Sequence, residues 1–166
     1  NPNNRNLYID LSAVYLKKLD YPKAEQYAKK ALSIEPNNVI AFYNLGKAYF
    51  AQGKLEESKE AFINACKIPK FADWFKDLGD VYYRLNDLPM AIQAYQKAIS
   101  GNPRNYFAYN NMGLAYAMLN KYEEARQSWT NAVNINPKMY EASYNLIRIA
   151  ILIDKDLVKA QQIVTI

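Results

Sequence analysis

The 166-residue chain contains no histidine and a single cysteine, Cys66. The lack of histidine removes the commonest general base and the commonest transition-metal ligand. One cysteine excludes an internal disulfide and a multi-cysteine metal site, and its apolar neighbours at helical spacing favour a buried core thiol over a nucleophile. Because a glycine-rich phosphate loop and a paired acidic motif are also missing, the sequence predicts no enzymatic activity, no metal and no cofactor in this segment.

Glycine is scarce, with 5 residues, whereas tyrosine is abundant, with 15. So many large amphipathic rings indicate packing between helices, with some rings left for a contact surface. The net charge is +5, but the lysines are scattered along the chain, which favours solvated helix faces over a polyanion site. We therefore expect no nucleic acid as a partner. The longest apolar runs, such as the one near residue 150, contain a charge and are too short to span a bilayer.

An internal repeat of about 34 residues runs along the chain. Its units align on three proline-bearing segments, IEPNN, GNPRN and NINPK. Each unit is predicted to form two amphipathic helices, because its apolar residues recur three and four apart. Pro22 and Pro89 fall in the first turn of a second helix, and the proline-bearing segment ends that helix. The first helix of three units carries an aromatic residue, Leu or Met, Gly and Tyr at fixed spacing: Phe42-Leu45-Gly46-Tyr49, Phe75-Leu78-Gly79-Tyr82 and Tyr109-Met112-Gly113-Tyr116.

The recurring small and large residues predict how the helices pack. Each glycine of a first helix is expected to face a small residue of the second helix, so that the two backbones approach closely. A large aromatic residue of the second helix is expected to fill the volume between repeats. The glycines are Gly46, Gly79 and Gly113, the small residues are Ser58, Ala91 and Ala125, and the aromatic residues are Phe62, Tyr95 and Trp129.

This pattern resembles the tetratricopeptide repeat family over nearly the whole chain. The resemblance implies an all-α fold, a right-handed α-solenoid of antiparallel helix pairs. The sequence departs from the family pattern at Ser12, at Ala28, at a one-residue shortening around 67–69, and in the last unit, where Ser143, Ile147 and Ala150 stand at signature positions. The predicted division is 1–4 as the end of an upstream repeat, 5–38, 39–71, 72–105 and 106–139 as repeats one to four, and 140–166 as a degenerate or truncated fifth repeat.

The first four residues, NPNN, match the inter-repeat segment EPNN at 35–38. This match predicts that the chain is a segment of a longer array, and the apolar helical pattern at its other end predicts that the array or another domain continues. An expression artefact is the alternative for the first four residues. Self-association through exposed apolar ends is also possible in this view, through Ile163, Val164 and Ile166.

The resemblance implies a concave groove, lined by the first helix of each unit, that binds an extended peptide or a partner helix. Two residues before the signature glycine stands a row of short polar side chains, which are Asp10, Asn44, Asp77, Asn111 and Asn145. An asparagine amide can pair with any peptide backbone, whereas the alternative, a helix cap, is weakened by its mid-helix position. Further predicted contact residues on the same faces are Tyr43, Lys47, Phe50, Tyr83, Phe107 and Tyr144, although some of these rings are expected to pack on neighbouring helices instead.

The third unit carries a mostly acidic stripe, formed by Asp73, Asp77, Asp80 and Arg84. Such a stripe would attract Lys or Arg on a ligand, and a solvated helix face is the alternative. Family members that hold the C-terminal carboxylates of chaperones use lysines, asparagines and an arginine across three consecutive units. The matching positions here are Ile9, Ala13, Asn44, Asp73 and Asp77 in one frame, and Lys76, Asp80, Asn111, Glu141 and Asn145 in another. Because acidic residues stand where cations are needed, that ligand is disfavoured.

Two functions remain open from the sequence. The first is a non-enzymatic scaffold within a multiprotein assembly that binds a protein or peptide ligand in its groove. The second is a substrate-recognition arm of a larger enzyme, such as a glycosyltransferase, whose catalytic domain lies outside these residues. Repeat folds host many functions, so the fold alone does not decide between them.

Overall fold

The structure, a computed structural model, describes residues 5–68, 72–153, 155, 156, 158, 161 and 162. Within these residues the chain is all helical, and its nine helices follow one another without a strand. The predicted features at 1–4, at Pro69 and at Ile163, Val164 and Ile166 lie outside the described residues. The helices are α1 Arg5–Lys17, α2 Tyr21–Ile34, α3 Val39–Ala51, α4 Leu55–Ala65, α5 Trp74–Arg84, α6 Leu88–Gly101, α7 Tyr106–Met118, α8 Tyr122–Ile135 and α9 Tyr140–Leu152.

Each helix packs mainly on its neighbours in sequence, and α1 also packs on α3 and α5 on α7. This arrangement is an α-solenoid of helix pairs, as the sequence predicted. The core runs along the solenoid and is formed by small residues together with a few large rings. Phe62 and Tyr95 are each 1% exposed, and Trp129 is 3% exposed. The contacts are therefore local in sequence, and each pair is stabilised by the pair beside it.

The turn inside each of the first four helix pairs has the same geometry. One residue takes a left-handed backbone conformation, and the next residue donates its N–H to the carbonyl five positions earlier, which closes a Schellman motif. Three of the four left-handed residues are glycine or asparagine, which tolerate positive φ best, and the fourth is a leucine. The left-handed residues are Leu19 (φ 60°), Gly53 (φ 76°), Asn86 (φ 62°) and Asn120 (φ 58°).

Proline and asparagine caps mark the start of four helices, two inside a pair and two at the boundary between pairs. Pro22 and Pro89 lie in the first turn of α2 and α6, as predicted. The side chain of Asn38 accepts a hydrogen bond from the N–H of Ala41 at the start of α3, and Asn105 caps α7 in the same way. These local signals fix the starts of α2, α3, α6 and α7, whereas α4, α5, α8 and α9 begin without a side-chain cap.

Each signature glycine leaves room for an aromatic ring of the following helix. A methyl group added at Gly46, Gly79 or Gly113 would have a ring of the following helix as its nearest neighbour, at 2.9 Å from Phe62, 2.5 Å from Tyr95 and 2.6 Å from Trp129. The predicted contact with Ser58 is present, since its hydroxyl donates to the Gly46 carbonyl at 2.9 Å. The rings also belong to the core that joins one pair to the next, as expected: Phe62 and Tyr95 share a buried cluster with residues of α5 and α7, and Trp129 shares one with residues of α9.

Candidate functional site

Two adjoining cavities lie on the odd-numbered helices, and we call them together the groove. The first cavity has a volume of about 350 Å³, and the second has a volume of about 210 Å³. Both are lined by Phe50 and Asp80, so they form one continuous surface across α1, α3, α5 and α7. The structure brings together seven of the predicted contact residues here, namely Lys47, Phe50, Asp77, Asp80, Tyr83, Arg84 and Asn111.

A polar cluster centred on α5 borders the groove, which Asp77 and Asp80 line. Lys76 donates to Asp77 at 2.9 Å and to Asp80 at 2.8 Å, so a single cation bridges two carboxylates. Asp77 also accepts a hydrogen bond from the Tyr43 hydroxyl at 2.6 Å. Asp80 accepts from the Tyr95 hydroxyl at 2.9 Å and from the Asn111 amide at 2.8 Å. The two carboxylates are therefore already hydrogen-bonded within the protein.

The protonation states of this cluster follow from burial and from the two carboxylates. Burial disfavours the charge of Lys76, but Asp77 and Asp80 outweigh it and raise the pKa of its ammonium group. The pKa of the Tyr43 hydroxyl is raised, mainly by burial and also by the negative charge of Asp77. The pKa of the Tyr95 hydroxyl is raised by burial and by the negative charge of Asp80. Lys76 thus stays charged and both phenols stay protonated at neutral pH, as their donor roles require.

The rim of the groove carries cations. Arg84 lies over the Phe50 ring, 5.0 Å from its centroid, and Lys47 lies over the Tyr43 ring at 5.5 Å. Lys17 and Lys47 line the first cavity, and neither makes an ion pair within the described part of the chain. That the acidic stripe of the third unit attracts basic ligand residues remains a prediction. Among the described residues, the charges at the rim that have no ion-pair partner are positive.

The predicted row of asparagines is largely engaged in contacts between helices. Asn44 is 6% exposed and donates to the carbonyl of Ile9 on α1 at 3.3 Å. Asn111 donates to Asp80, and it accepts a hydrogen bond from the neighbouring Asn110 at 3.1 Å. Asn145 is 8% exposed on α9. That these amides bind a ligand backbone remains a prediction, and those of Asn44 and Asn111 already connect adjacent helices.

The remaining predicted contact residues lie away from the two cavities. Asp73 precedes α5 and accepts hydrogen bonds from Asn102 and Asn105, so it connects α5 to the turn before α7. Asp10 is exposed on α1. Phe107 is 49% exposed and packs against Tyr106, with 4.3 Å between ring centroids. Tyr144 on α9 is 61% exposed.

Sequence reasoning missed several residues of the groove. Leu16 lines the first cavity and occupies the position in its unit that Phe50 and Tyr83 occupy in theirs, so aligning the units would have identified it. Lys76 had no such signal, because no other unit places a cation at that position. The spacing of four residues between Lys76 and Asp80 on one helix was the available signal, whereas the bonds of the two carboxylates to Tyr43, Tyr95 and Asn111 depend on the fold.

Cys66 is 9% exposed, and burial together with the Asp77 charge raises the pKa of its thiol to about 12. The thiol is therefore protonated at neutral pH and is a poor nucleophile. A cluster of side chains able to hold a metal ion is absent from the described residues. In the same part of the chain, every helix is too short or too polar to cross a membrane.

Family profiles match most of the chain. Profiles described as "TPR repeat" match residues 21–53 and 79–120, and profiles described as "Tetratricopeptide repeat" match residues 39–70 and 106–139. The chain belongs to the tetratricopeptide repeat family. The family assignment made from the sequence is thereby confirmed.

Two curated relatives are much longer than the matched segment. One is the tetratricopeptide repeat domain-containing protein PYG7, chloroplastic, of Arabidopsis thaliana, which is 29% identical over 105 residues, or 60% of this chain and 35% of that protein. Another is the Hsp70/Hsp90 co-chaperone CNS1 of Saccharomyces cerevisiae, which is 40% identical over 58 residues, or 35% of this chain and 15% of that protein. The chain thus corresponds to about a third of the first relative's length, and to less of the second's.

A solved tetratricopeptide repeat structure shares the fold. The crystal structure of YrrB, described as a TPR protein with an unusual peptide-binding site, superimposes with a TM-score of 0.82. It is 22% identical and covers 99% of this chain and 85% of the YrrB chain. The family and these relatives support a protein–protein interaction module, and the relatives carry the names of repeat or co-chaperone proteins rather than enzymes.

Proposed function

We propose that this tetratricopeptide repeat segment binds an extended peptide segment of a partner protein in the groove. The observation that carries the proposal is the pair of adjoining cavities that share Phe50 and Asp80. An extended segment can lie along such a surface and place successive side chains in successive cavities. The co-chaperone among the relatives and the peptide-binding repeat protein YrrB support the same class of ligand.

The lining of the groove suits peptide recognition. Phe50, Tyr83 and Leu16 offer apolar surface, and rings of this kind contribute most of the binding energy in protein interfaces. Arg84 stacks on Phe50 and holds the ring in place, so less side-chain entropy is lost when a ligand binds. Lys47 and Arg84 at the rim are free to pair with ligand carboxylates or carbonyl groups.

The proposal is tested by selecting peptide ligands from a displayed library against the segment and measuring their affinity for variants. Phe50→Ala, which changes both cavities, is expected to weaken binding about tenfold or more. Gln127→Ala serves as the control, because Gln127 is exposed on α8 and lines neither cavity. Circular dichroism verifies that both variants fold. If selected peptides bind wild type and Phe50→Ala equally, the groove is not the binding site and the proposal is wrong.

A further inference from the structure

Two helices that are far apart along the solenoid, α3 and α9, carry a similar five-residue segment. Residues 43–47 of α3 read YNLGK, and residues 144–148 of α9 read YNLIR. Both segments occupy the same place in their helices, with the tyrosine four residues before the cation. One turn of helix therefore brings each cation over its own tyrosine, with Lys47 at 5.5 Å from the Tyr43 ring and Arg148 at 5.8 Å from the Tyr144 ring.

Each of these cations borders a cavity of the same construction. Lys47 lines the first cavity with Leu16 and Tyr21 from the preceding helix pair. Arg148 lines a third cavity, of about 200 Å³, with Ala117 and Tyr122 at the corresponding positions of its own preceding pair. Tyr21 and Tyr122 both follow the turn inside a pair, so each cavity is lined by the cation and by the first tyrosine of the second helix of the preceding pair. The recurrence comes from the repeat itself.

The charges at the two cavities favour an anion next to an apolar group. Arg148 is the charged side chain of the third cavity, and it makes no ion pair within the described residues. The first cavity is lined by Lys17 and Lys47, and by Asp77 and Asp80, which already accept hydrogen bonds from Lys76. In both places the unpaired charge is positive and the walls are mainly apolar.

We propose that the two cavities are equivalent anchor sites for one ligand segment, which carries two apolar side chains, each beside a carboxylate, joined by an uncharged stretch. The proposal rests on the proposed groove function and names the ligand class for it. Each apolar side chain enters a cavity, and the adjacent carboxylate pairs with Lys47 or Arg148. The rest of the ligand is uncharged, because Asp77 and Asp80, which line the first cavity on its α5 side, would repel acidic groups that lie away from Lys17 and Lys47.

Synthetic peptides test the two-site arrangement directly. One series carries a single leucine–glutamate pair, and a second carries two such pairs joined by a glycine–serine spacer of about 6 to 18 residues. At the best spacer length the double peptide is expected to bind about tenfold or more tightly than the single peptide, because the second contact becomes intramolecular. Either Lys47→Ala or Arg148→Ala should abolish this gain. Arg104→Ala is the matched control, because it removes one exposed cation from the turn before α7.

The outcomes separate this proposal from the groove function. A double peptide that gains nothing at any spacer length, or a gain that survives either variant, overturns the two-site proposal. If leucine–lysine pairs bind as well as leucine–glutamate pairs, the proposed ligand chemistry is wrong. In each of these cases peptides from the displayed library can still lose affinity for Phe50→Ala, and the groove function then stands. If the library peptides bind wild type and Phe50→Ala with equal affinity, the proposed groove function is wrong whatever the double peptides show.

Discussion

Replacing Gly79 with alanine is expected to destabilise the protein, although alanine is the better helix former. A methyl group at Gly79 would lie 2.5 Å from Cε1 and 2.7 Å from Cδ1 of the Tyr95 ring. Such distances are too short for carbon atoms, so the ring has to move. Tyr95 is 1% exposed, and its hydroxyl donates to Asp80 at 2.9 Å. Packing around the ring and this hydrogen bond together oppose the movement.

Whether Gly79→Ala stabilises or destabilises the protein depends on helix propensity, core packing and one hydrogen bond. Helix propensity favours alanine over glycine by about 1 kcal/mol. Overpacking a well-packed core costs about 1–3 kcal/mol. If the ring turns away from Asp80, a hydrogen bond to a charged group, which contributes about 1.5–3 kcal/mol, is also lost. We expect Gly79→Ala to lower the free energy of unfolding by about 1–3 kcal/mol, or Tm by about 3–9 °C.

Urea denaturation followed by circular dichroism measures this effect in wild type, Gly79→Ala, Tyr95→Leu and the double variant. In the Tyr95→Leu background the added methyl has room, so Gly79→Ala should be neutral or stabilising there. The first helix pair carries the complementary combination, with Ser12 at the glycine position and Ala28 at the aromatic position. A Gly79→Ala variant more stable than wild type would refute the packing argument.

Three further changes test local features of the fold. Leu19→Asn should raise the free energy of unfolding by about 0.5–1 kcal/mol in urea denaturation, because Leu19 has φ 60° and asparagine tolerates that conformation better; an unchanged midpoint would contradict this. Ser12→Ala should stabilise the protein by about 1 kcal/mol, measured as a rise in Tm, because the buried Ser12 hydroxyl lacks a hydrogen-bond partner among the described residues. Glu25→Gln should lower the free energy of unfolding by on the order of 1–3 kcal/mol at pH 7. Burial alone would raise the pKa of Glu25, but hydrogen bonds from Lys29, Lys54 and Gln52 lower this pKa from 4.5 to about 2. A lowered pKa stabilises the folded state above pH 4.5, and this stability is lost between pH 4.5 and 2, so the two proteins should converge near pH 2 when unfolding is measured as a function of pH.

Local signals in the sequence determined where the helices begin and end. Pro22, Pro89 and the asparagine caps act within a few residues of their own position, so their effect is readable without the fold. The repeat period then predicted the stacking, because every pair has to bury the same faces. Phe50 and Tyr83 could also be predicted as groove residues, since their position in the unit fixes the face on which they lie.

The tertiary structure decided which polar groups remain available to a ligand. Asn44 and Asp77 stand at the same position of the repeat, yet Asn44 bonds to a carbonyl of α1 while Asp77 shares the Lys76 ammonium with Asp80. The partner of Asn44 lies on another helix, and Asp77 also accepts a hydrogen bond from Tyr43 of α3, so these contacts depend on how closely the helices pack. The sequence by itself therefore determined the helices, their order and the face that forms the groove. Only the folded chain determined the charge of that face, because each hydrogen bond within the protein withdraws a group from the surface.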